Sequence, residues 1–183
     1  MGAALSRVAC HAAAERCVQC RAMPDRVPLD PPEGDDWLVL TTSPLEGTDA
    51  LTWVGGERWG GVVGFFGVVR DHAEGRVGVV AVDYEAYEDQ VVPRLAELAA
   101  AARARVPDVG RIVLWHRTGR LVVGEASVAV VVSAPHRGEA FEACRWLIDT
   151  LKATLPIWKL EHFEGGADWS PSSHPIGPVG TQS

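Results

Sequence analysis

The stretch Ala126-Ser-Val-Ala-Val-Val-Val-Ser-Ala-Pro-His-Arg137 decides the fold, because in it an apolar segment leads directly into a helix. Residues 126–132 are almost wholly apolar, which is typical of a β-strand covered on both faces. A helix is predicted from about Arg137 to Thr154, ended by Pro156. Its apolar side chains recur at the spacing of one buried face: Phe141, Cys144, Ile148 and Leu151. Residues 157–163 predict a final strand.

On the N-terminal side of this stretch, apolar patterns predict five strands and two helices. The strands are expected over residues 37–41, 60–70, 78–87, 112–116 and 121–132. The helices are expected from a cap at Thr48 to Val54 and over residues 88–106. This order predicts an α+β fold with a mixed or antiparallel sheet and two main helices.

Local details accompany these elements. Gly64 and Gly67 indicate a bulge or a close backbone approach in the second strand. Residues 71–76 are polar and predict a loop. The next strand is expected to place Val80, Val82 and Tyr84 on one face. The helix over residues 88–106 tolerates Pro93 only if this residue falls within its first turn.

The domain organisation follows from composition. Residues 1–36 predict a poorly ordered extension, residues 37–164 an α+β domain, and residues 165–183 a flexible tail rich in Gly, Pro and Ser. Three cysteines of the extension, with His11, are either free cytosolic thiols or a zinc site: Cys10, Cys17 and Cys20. We expect Cys144 to lie in the core.

Charge and hydropathy exclude several classes of protein. The net charge of −7 argues against a nucleic-acid-binding protein, which would normally carry a basic face. No apolar run approaches the roughly 18 residues of a membrane span, and the N-terminus lacks the pattern of a signal peptide. A cytoplasmic location is therefore expected, with no membrane partner.

The distribution of cations points to one segment. Of the 17 basic residues only two are lysines, Lys152 and Lys159, which lie seven positions apart. A desolvated lysine can lose its proton at working pH, whereas an arginine cannot. The two lysines therefore indicate either chemistry that needs an amine or chance placement at a helix end and on a strand surface.

The predicted start of the last helix is a candidate anion site. His136 and Arg137 lie where free backbone N–H groups attract phosphate, and Arg137 could bind phosphate oxygens with two hydrogen bonds. The alternative is a solvated first turn. A cation at a helix N-terminus is unfavourable without a compensating anion, which favours the anion site. The glycine-rich strand that ends in Arg70 would let a flat ligand approach the backbone.

Six short strings resemble one known family, the molybdopterin synthase large subunit, in their order and spacing. They are Phe66-Gly-Val-Val-Arg70, Tyr84-Glu-Ala-Tyr87, His116-Arg-Thr-Gly119 with Gly124-Glu125, Ala134-Pro-His-Arg137, Leu151-Lys152, and Pro156-Ile-Trp-Lys159 with Glu161. The resemblance covers about residues 37–170.

The resemblance implies a hammerhead-like α+β fold and a dimer of large subunits, with neither a metal nor another cofactor. Each large subunit of the family binds a small ubiquitin-like carrier whose C-terminal Gly-Gly ends in a thiocarboxylate. The enzyme transfers sulfur from this tail to cyclic pyranopterin monophosphate and so makes the molybdopterin dithiolene.

Individual roles also follow from the resemblance. Lys152 and Lys159 match the catalytic lysines, and substrate contacts are implied for seven positions: Arg70, His136, Arg137, Val68, Val69, Leu160 and Glu161. Val68 and Leu160 are apolar where family members often carry a basic residue, which puts auxiliary contacts in doubt. Two alternatives remain: a non-catalytic module that docks the carrier, and an unrelated Schiff-base lyase acting on sugar phosphates.

Overall fold

The computed structural model describes residues 29–73 and 75–170. Its helices are α1 (Gly47–Val54), α2 (Glu88–Arg105) and α3 (Arg137–Thr154). Its strands are β1 (Asp36–Thr41), β2 (Gly61–Val68), β3 (His72–Ala73), β4 (Arg76–Val77), β5 (Val79–Ala86), β6 (Ile112–Arg117), β7 (Gly119–Val122), β8 (Ala126–Ala134), β9 (Ile157–Phe163) and β10 (Gly166–Trp169). None of the helices in this part of the chain is long and apolar enough to cross a membrane.

Two four-stranded sheets form the framework. The first has the order β1-β6-β8-β2, in which β1 and β6 are parallel and the other pairs antiparallel. The second has the order β10-β9-β5-β7 and is antiparallel throughout. The expected α+β fold with mixed and antiparallel pairing is therefore confirmed.

The first sheet is covered on both faces. Val128, Val130 and Val132 of β8 pack against α2 and α3, whereas Ala129 and Val131 pack towards α1. This alternation is the consequence of successive side chains pointing to opposite faces of a strand. The apolar stretch 126–132 is buried on both sides as predicted, and the predicted core position of Cys144 is also confirmed.

The region predicted as one strand over residues 121–132 consists of two strands. β7 pairs with β5 in the second sheet, and β8 pairs with β6 and β2 in the first. The chain turns between them at Gly124, whose φ of 94° lies in the left-handed region that favours glycine. The prediction joined the apolar residues on both sides of Gly124 and Glu125 into one strand although the chain turns there, so it was wrong here.

Two side chains do not lie on the faces predicted for them, namely Val80 on the face of Val82 and Tyr84, and Phe141 on the buried face of α3. Val80 lies at an irregularity of the β5–β9 pairing, between Val79 and Ala81, and is 57% exposed. Phe141 is 62% exposed because α3 buries the neighbouring small residues Ala140 and Ala143 instead. The first prediction missed the irregularity in β5, whereas α3 is regular and buries a face that does not include Phe141.

Helix starts also differ from the sequence predictions. α1 begins at Gly47 after Glu46, which makes no side-chain cap hydrogen bond, so Thr48 is not the cap. Pro93 is the sixth residue of α2 and lies beyond the first turn. Its ring is exposed, and the helix continues through it to Arg105.

The loop predicted over residues 71–76 contains part of a short hairpin. β3 and β4 pair antiparallel, and positive φ angles at Gly75 and Gly78 turn the chain at both ends of β4. Residues 166–169, assigned from sequence to the tail, form β10 and pair with β9. Cys10, His11, Cys17 and Cys20 lie outside the described residues.

Candidate active site

A cavity of about 710 Å³ lies where the two sheets meet the C-terminal turn of α3. The end of β2 and the β3–β4 hairpin form one side, and β5, β6 and β9 contribute the others. Six of the nine residues implied by sequence line it: Val68, Val69, Arg70, Lys152, Lys159 and Glu161.

Lys152 reaches the cavity from the last turn of α3, where a cation is favoured by the helix dipole. Its Nζ lies 5.4 Å from the centroid of the Phe65 ring, which also lines the cavity. An ammonium over the face of an aromatic ring is attracted by the ring quadrupole. The helix end and the ring together position this amine.

Lys159 lies on β9 and is half-buried. Burial lowers the pKa of its ammonium because the charged form loses hydration. The nearby Glu161 carboxylate opposes this change, whereas the charges of Lys152 and Arg70 lower the pKa further. The environment of Lys159 therefore makes its ammonium easier to deprotonate.

Arg70 follows β2 directly, and the preceding backbone is held by the β7–β8 turn. The N–H of Val69 donates to the carbonyl of Glu125 at 2.9 Å, and the N–H of Gly124 donates to the carbonyl of Val69 at 2.9 Å. Val69 is buried, whereas Val68 and Arg70 are exposed. The anchored backbone presents the guanidinium at the cavity.

Glu161 is buried, and its Oε2 accepts a hydrogen bond from Nη1 of Arg76 at 3.1 Å. Among the described residues that line the cavity it is the only carboxylate. It shares one face of β9 with Lys159, since side chains two positions apart point to the same side. The cavity thus carries three cations and one paired anion.

His116 and Tyr84 also line the cavity, although the sequence assigned them no role there. Their rings meet edge to face, with centroids 5.5 Å apart. The Nδ1 of His116 lies 2.8 Å from the carbonyl oxygen of Arg117. Because a carbonyl only accepts, Nδ1 carries the proton and Nε2 is the acceptor in the neutral ring.

Burial sets the protonation of both rings. It lowers the pKa of His116 to about 4, and the charge of Lys159 contributes to the same change. It also raises the pKa of the Tyr84 phenol, which the Glu161 carboxylate raises further. Near neutral pH both rings are uncharged. Their place in two of the family strings was the signal that could have identified them.

The remaining three predicted site residues do not line this cavity. His136 and Arg137 are exposed at the N-terminus of α3, and Lys152 lies 15 positions further along this helix. At 1.5 Å per residue this separation is about 22 Å. Leu160 alternates with Lys159 along β9 and lies on its other face. His136 and Arg137 therefore form a separate surface on the same chain.

The arrangement is suited to binding an anion and moving a proton. Arg70 and Lys152 supply positive charge, and the lowered pKa of Lys159 makes its ammonium easier to deprotonate, which suits it for proton transfer. Within residues 29–73 and 75–170, no group of three His, Cys, Asp or Glu side chains is placed to hold a metal ion. Fold and site thus define an α+β protein whose cavity holds two lysines and an arginine.

Comparisons with known proteins identify the family. The family model described as MoaE protein matches residues 40–154. The "Molybdopterin synthase catalytic subunit" of a Nostoc species is 41% identical over 136 residues, which cover 74% of this chain and 82% of the relative. The chain belongs to the MoaE family.

Solved structures agree with this assignment. The crystal structure of molybdopterin synthase from Staphylococcus aureus matches with a TM-score of 0.67 and 30% identity, over 72% of this chain and 94% of that one. A chain from a complex of subunits 1 and 2 of molybdopterin-converting factor from Helicobacter pylori matches with a TM-score of 0.63. At 18% identity, over 82% of this chain and all of that one, this second match shows the fold alone.

Proposed function

We propose that this chain is the catalytic large subunit of a molybdopterin synthase. It transfers sulfur from the thiocarboxylated tail of a small ubiquitin-like subunit to cyclic pyranopterin monophosphate. The observation that carries the proposal is the meeting of both lysines of the chain with Arg70 in one cavity. The similarity to the Nostoc catalytic subunit supports it.

The charges of the cavity fit both reactants. The substrate carries a cyclic phosphate and the carrier tail ends in a thiocarboxylate, so each brings negative charge to a site with three cations. Arg70 offers a planar fork of donors for phosphate oxygens. A Gly-Gly tail has no side chains and can enter in extended form. The small subunit is thus the expected protein partner, and the cytoplasm the expected location.

The two lysines have different tasks. Lys159 accepts or returns a proton, since its pKa is lowered towards working pH. Lys152 either assists as acid and base or briefly takes the acyl group of the carrier. In both routes the thiocarboxylate sulfur bonds to a side-chain carbon of the pterin, and the carbon–oxygen bond at that carbon breaks, so that the oxygen leaves as water or stays on the phosphate. The acyl carbon–sulfur bond then breaks, and one water molecule hydrolyses the acyl group, so the carrier tail ends as a carboxylate.

His136 and Arg137 contribute to the same reaction through a second copy of the chain. They lie at the far end of α3 from Lys152 and cannot serve the cavity of their own subunit. We infer that, in a dimer of large subunits, the N-terminus of one α3 reaches the cavity of the other copy. There it supplies Arg137 and free backbone N–H groups to the phosphate.

Turnover is the direct test of the function. The chain is mixed with thiocarboxylated small subunit and cyclic pyranopterin monophosphate, and molybdopterin is measured as its fluorescent oxidation product. We expect product from the wild type and a loss of at least about 100-fold for Lys152→Ala. Arg145→Ala is the matched control, because Arg145 is an exposed cation on the same helix. Folded wild type that binds the carrier without turnover would favour the docking module.

Complementation tests the shared site. Lys152→Ala and Arg137→Ala are each expected to be weakly active alone. If two copies build each site, randomly mixed dimers contain one intact site in half of the molecules, which restores about a quarter of wild-type activity. Mixed dimers that form without any recovery would contradict the role of Arg137.

The lyase alternative is tested with borohydride, which would trap a carbonyl substrate on Lys152 without a carrier.

A further inference from the structure

Arg76 joins the cavity wall to the edge of the second sheet. Its Nη1 donates to Oε2 of Glu161 at 3.1 Å, and its Nη2 donates to Oδ2 of Asp168 at 2.6 Å. Two further bonds go to the carbonyls of Asp168 at 3.3 Å and Trp169 at 3.4 Å. The guanidinium carbon also lies 5.3 Å from the ring centroid of Phe163. Five contacts therefore fix this one side chain.

Arg76 itself does not line the cavity, but Glu161 does. The Glu161 side chain is only 6% exposed. If Arg76 were removed, water could not easily reach the carboxylate, and the lost hydrogen bond would leave a buried charge unpaired. A buried carboxylate that lost Arg76 would turn to another cation or take up a proton. Lys159 is the nearest candidate along the chain, since it lies two positions away on the same face of β9.

We propose that Arg76 is a positioning residue of the sulfur-transfer site. It holds the Glu161 carboxylate so that Lys159 is not captured in an ion pair and remains available for proton transfer. The reaction itself rests on the proposed function, whereas the coupling between Arg76, Glu161 and Lys159 belongs to the folded chain alone. The β3–β4 hairpin that carries Arg76 thereby acts on the chemistry without touching substrate.

The surroundings of Lys159 make this coupling measurable. Charged or titratable groups line the same cavity from α3, from the segment after β2, from β3, from β5, from β6 and from its own strand: Lys152, Arg70, His72, Tyr84, His116 and Glu161. His116 and Tyr84 are uncharged near neutral pH because burial moves their pKa values away from it. Among the charges that shift the pKa of Lys159, the Glu161 carboxylate raises it, whereas those of Lys152 and Arg70 lower it.

The experiment titrates Lys159 without turnover. The chain carries only two lysines, so acetylation by limiting acetic anhydride, read by mass spectrometry against a free-amine reference peptide, follows each amine separately. Arg76→Gln and Arg76→Leu remove the charge, and Leu keeps an apolar stem against Phe163. We expect either variant to raise the pKa of Lys159 by about one unit. At pH values below the pKa, this shift makes the fraction of neutral amine about tenfold smaller. Arg76→Lys is expected to restore most of the wild-type titration.

The double variant separates positioning from a loss of structure. With Glu161→Gln in place, Arg76→Gln should no longer move the titration of Lys159, because no carboxylate remains to be released. The acid limb of the kcat/KM profile should move to higher pH in Arg76→Gln and not in the double variant. An unchanged Lys159 titration in both neutral variants, or an equal shift in the Glu161→Gln background, would overturn the proposal.

Failure of the proposed function is recognised separately. A wild type that makes no molybdopterin but shows the expected shifts in Lys159 labelling contradicts the reaction and leaves the coupling intact. Arg76 belongs to none of the described apolar clusters, so the variants are expected to fold. Thermal unfolding checks each of them before labelling.

Discussion

The ammonium of Lys152 lies over the Phe65 ring, 5.4 Å from its centroid, so an aromatic side chain of β2 positions an amine of α3. We expect Phe65→Leu to lower turnover by about fivefold, since a cation–π contact contributes about 1 kcal/mol and its loss leaves the amine less fixed. KM should change less than kcat. Steady-state assays with saturating carrier measure both constants.

Phe65→Tyr is the control for this contact because it keeps a ring face at the same position. It should retain most of the activity. Phe65 also packs against the main core, so the free energy of unfolding of each variant is measured in urea. A Leu variant with full activity and an unchanged pH profile would show that the ring does not position Lys152.

Removing the charge of Lys152 should change the titration of Lys159. The Lys152 ammonium lowers the pKa of Lys159 by like-charge repulsion, so Lys152→Gln is expected to raise this pKa by less than about one unit. Acetylation against an external amine reference measures the shift. Arg145→Gln, on the same helix but outside the cavity, should leave it unchanged; a shift of equal size there would indicate a general field effect.

His116 should make the fold sensitive to acid. Its pKa is about 4 in the folded chain and about 6.5 when unfolded, so the unfolded state binds more protons between these values. Stability is therefore lost as the pH falls from 6.5 to 4, by up to about 3 kcal/mol, and the contribution is constant below this window.

His116→Asn tests this dependence, because its amide N–H can replace Nδ1–H in the bond to the Arg117 carbonyl. Urea unfolding of both proteins is measured from pH 4 to pH 7. The difference in free energy of unfolding should grow in favour of the Asn variant as the pH falls. A difference that is constant with pH would mean that the imidazole is protonated in the folded chain or accessible to water.

Local patterns predicted the elements around the site well. The apolar run at residues 126–132 required a strand covered on both faces, and α2 and α3 on one side with α1 on the other provide this cover. The scarcity of lysine in the sequence indicated Lys152 and Lys159 as candidate site residues, and both line one cavity. These features are encoded over short distances in the chain.

Contacts between distant segments could not be predicted in the same way. Arg76 and Glu161 are 85 positions apart, and Arg76 lies in a stretch whose polarity predicted only a loop. The separation of His136 and Arg137 from Lys152 follows from the length of α3, and spacing along a helix could have indicated it. The burial of His116 depends on the meeting of two sheets that no single segment specifies.

Pro93 offers a test of stability away from the site. As the sixth residue of α2 it has no N–H to donate to the carbonyl of Asp89, and its ring crowds this carbonyl. Pro93→Ala restores the donor and improves helix propensity, while the loss of proline adds about 0.4–1 kcal/mol of freedom to the unfolded chain. We expect a net gain of about 1–2 kcal/mol, or about 3–6 °C in Tm.

Val92→Ala is the matched control for Pro93→Ala. It raises helix propensity at an exposed neighbouring position without changing any backbone hydrogen bond, so its gain should be smaller, about 0.5 kcal/mol or less. Differential scanning calorimetry measures both variants. A lower Tm for Pro93→Ala would mean that the rigid φ of the proline stabilises α2 more than the missing hydrogen bond destabilises it.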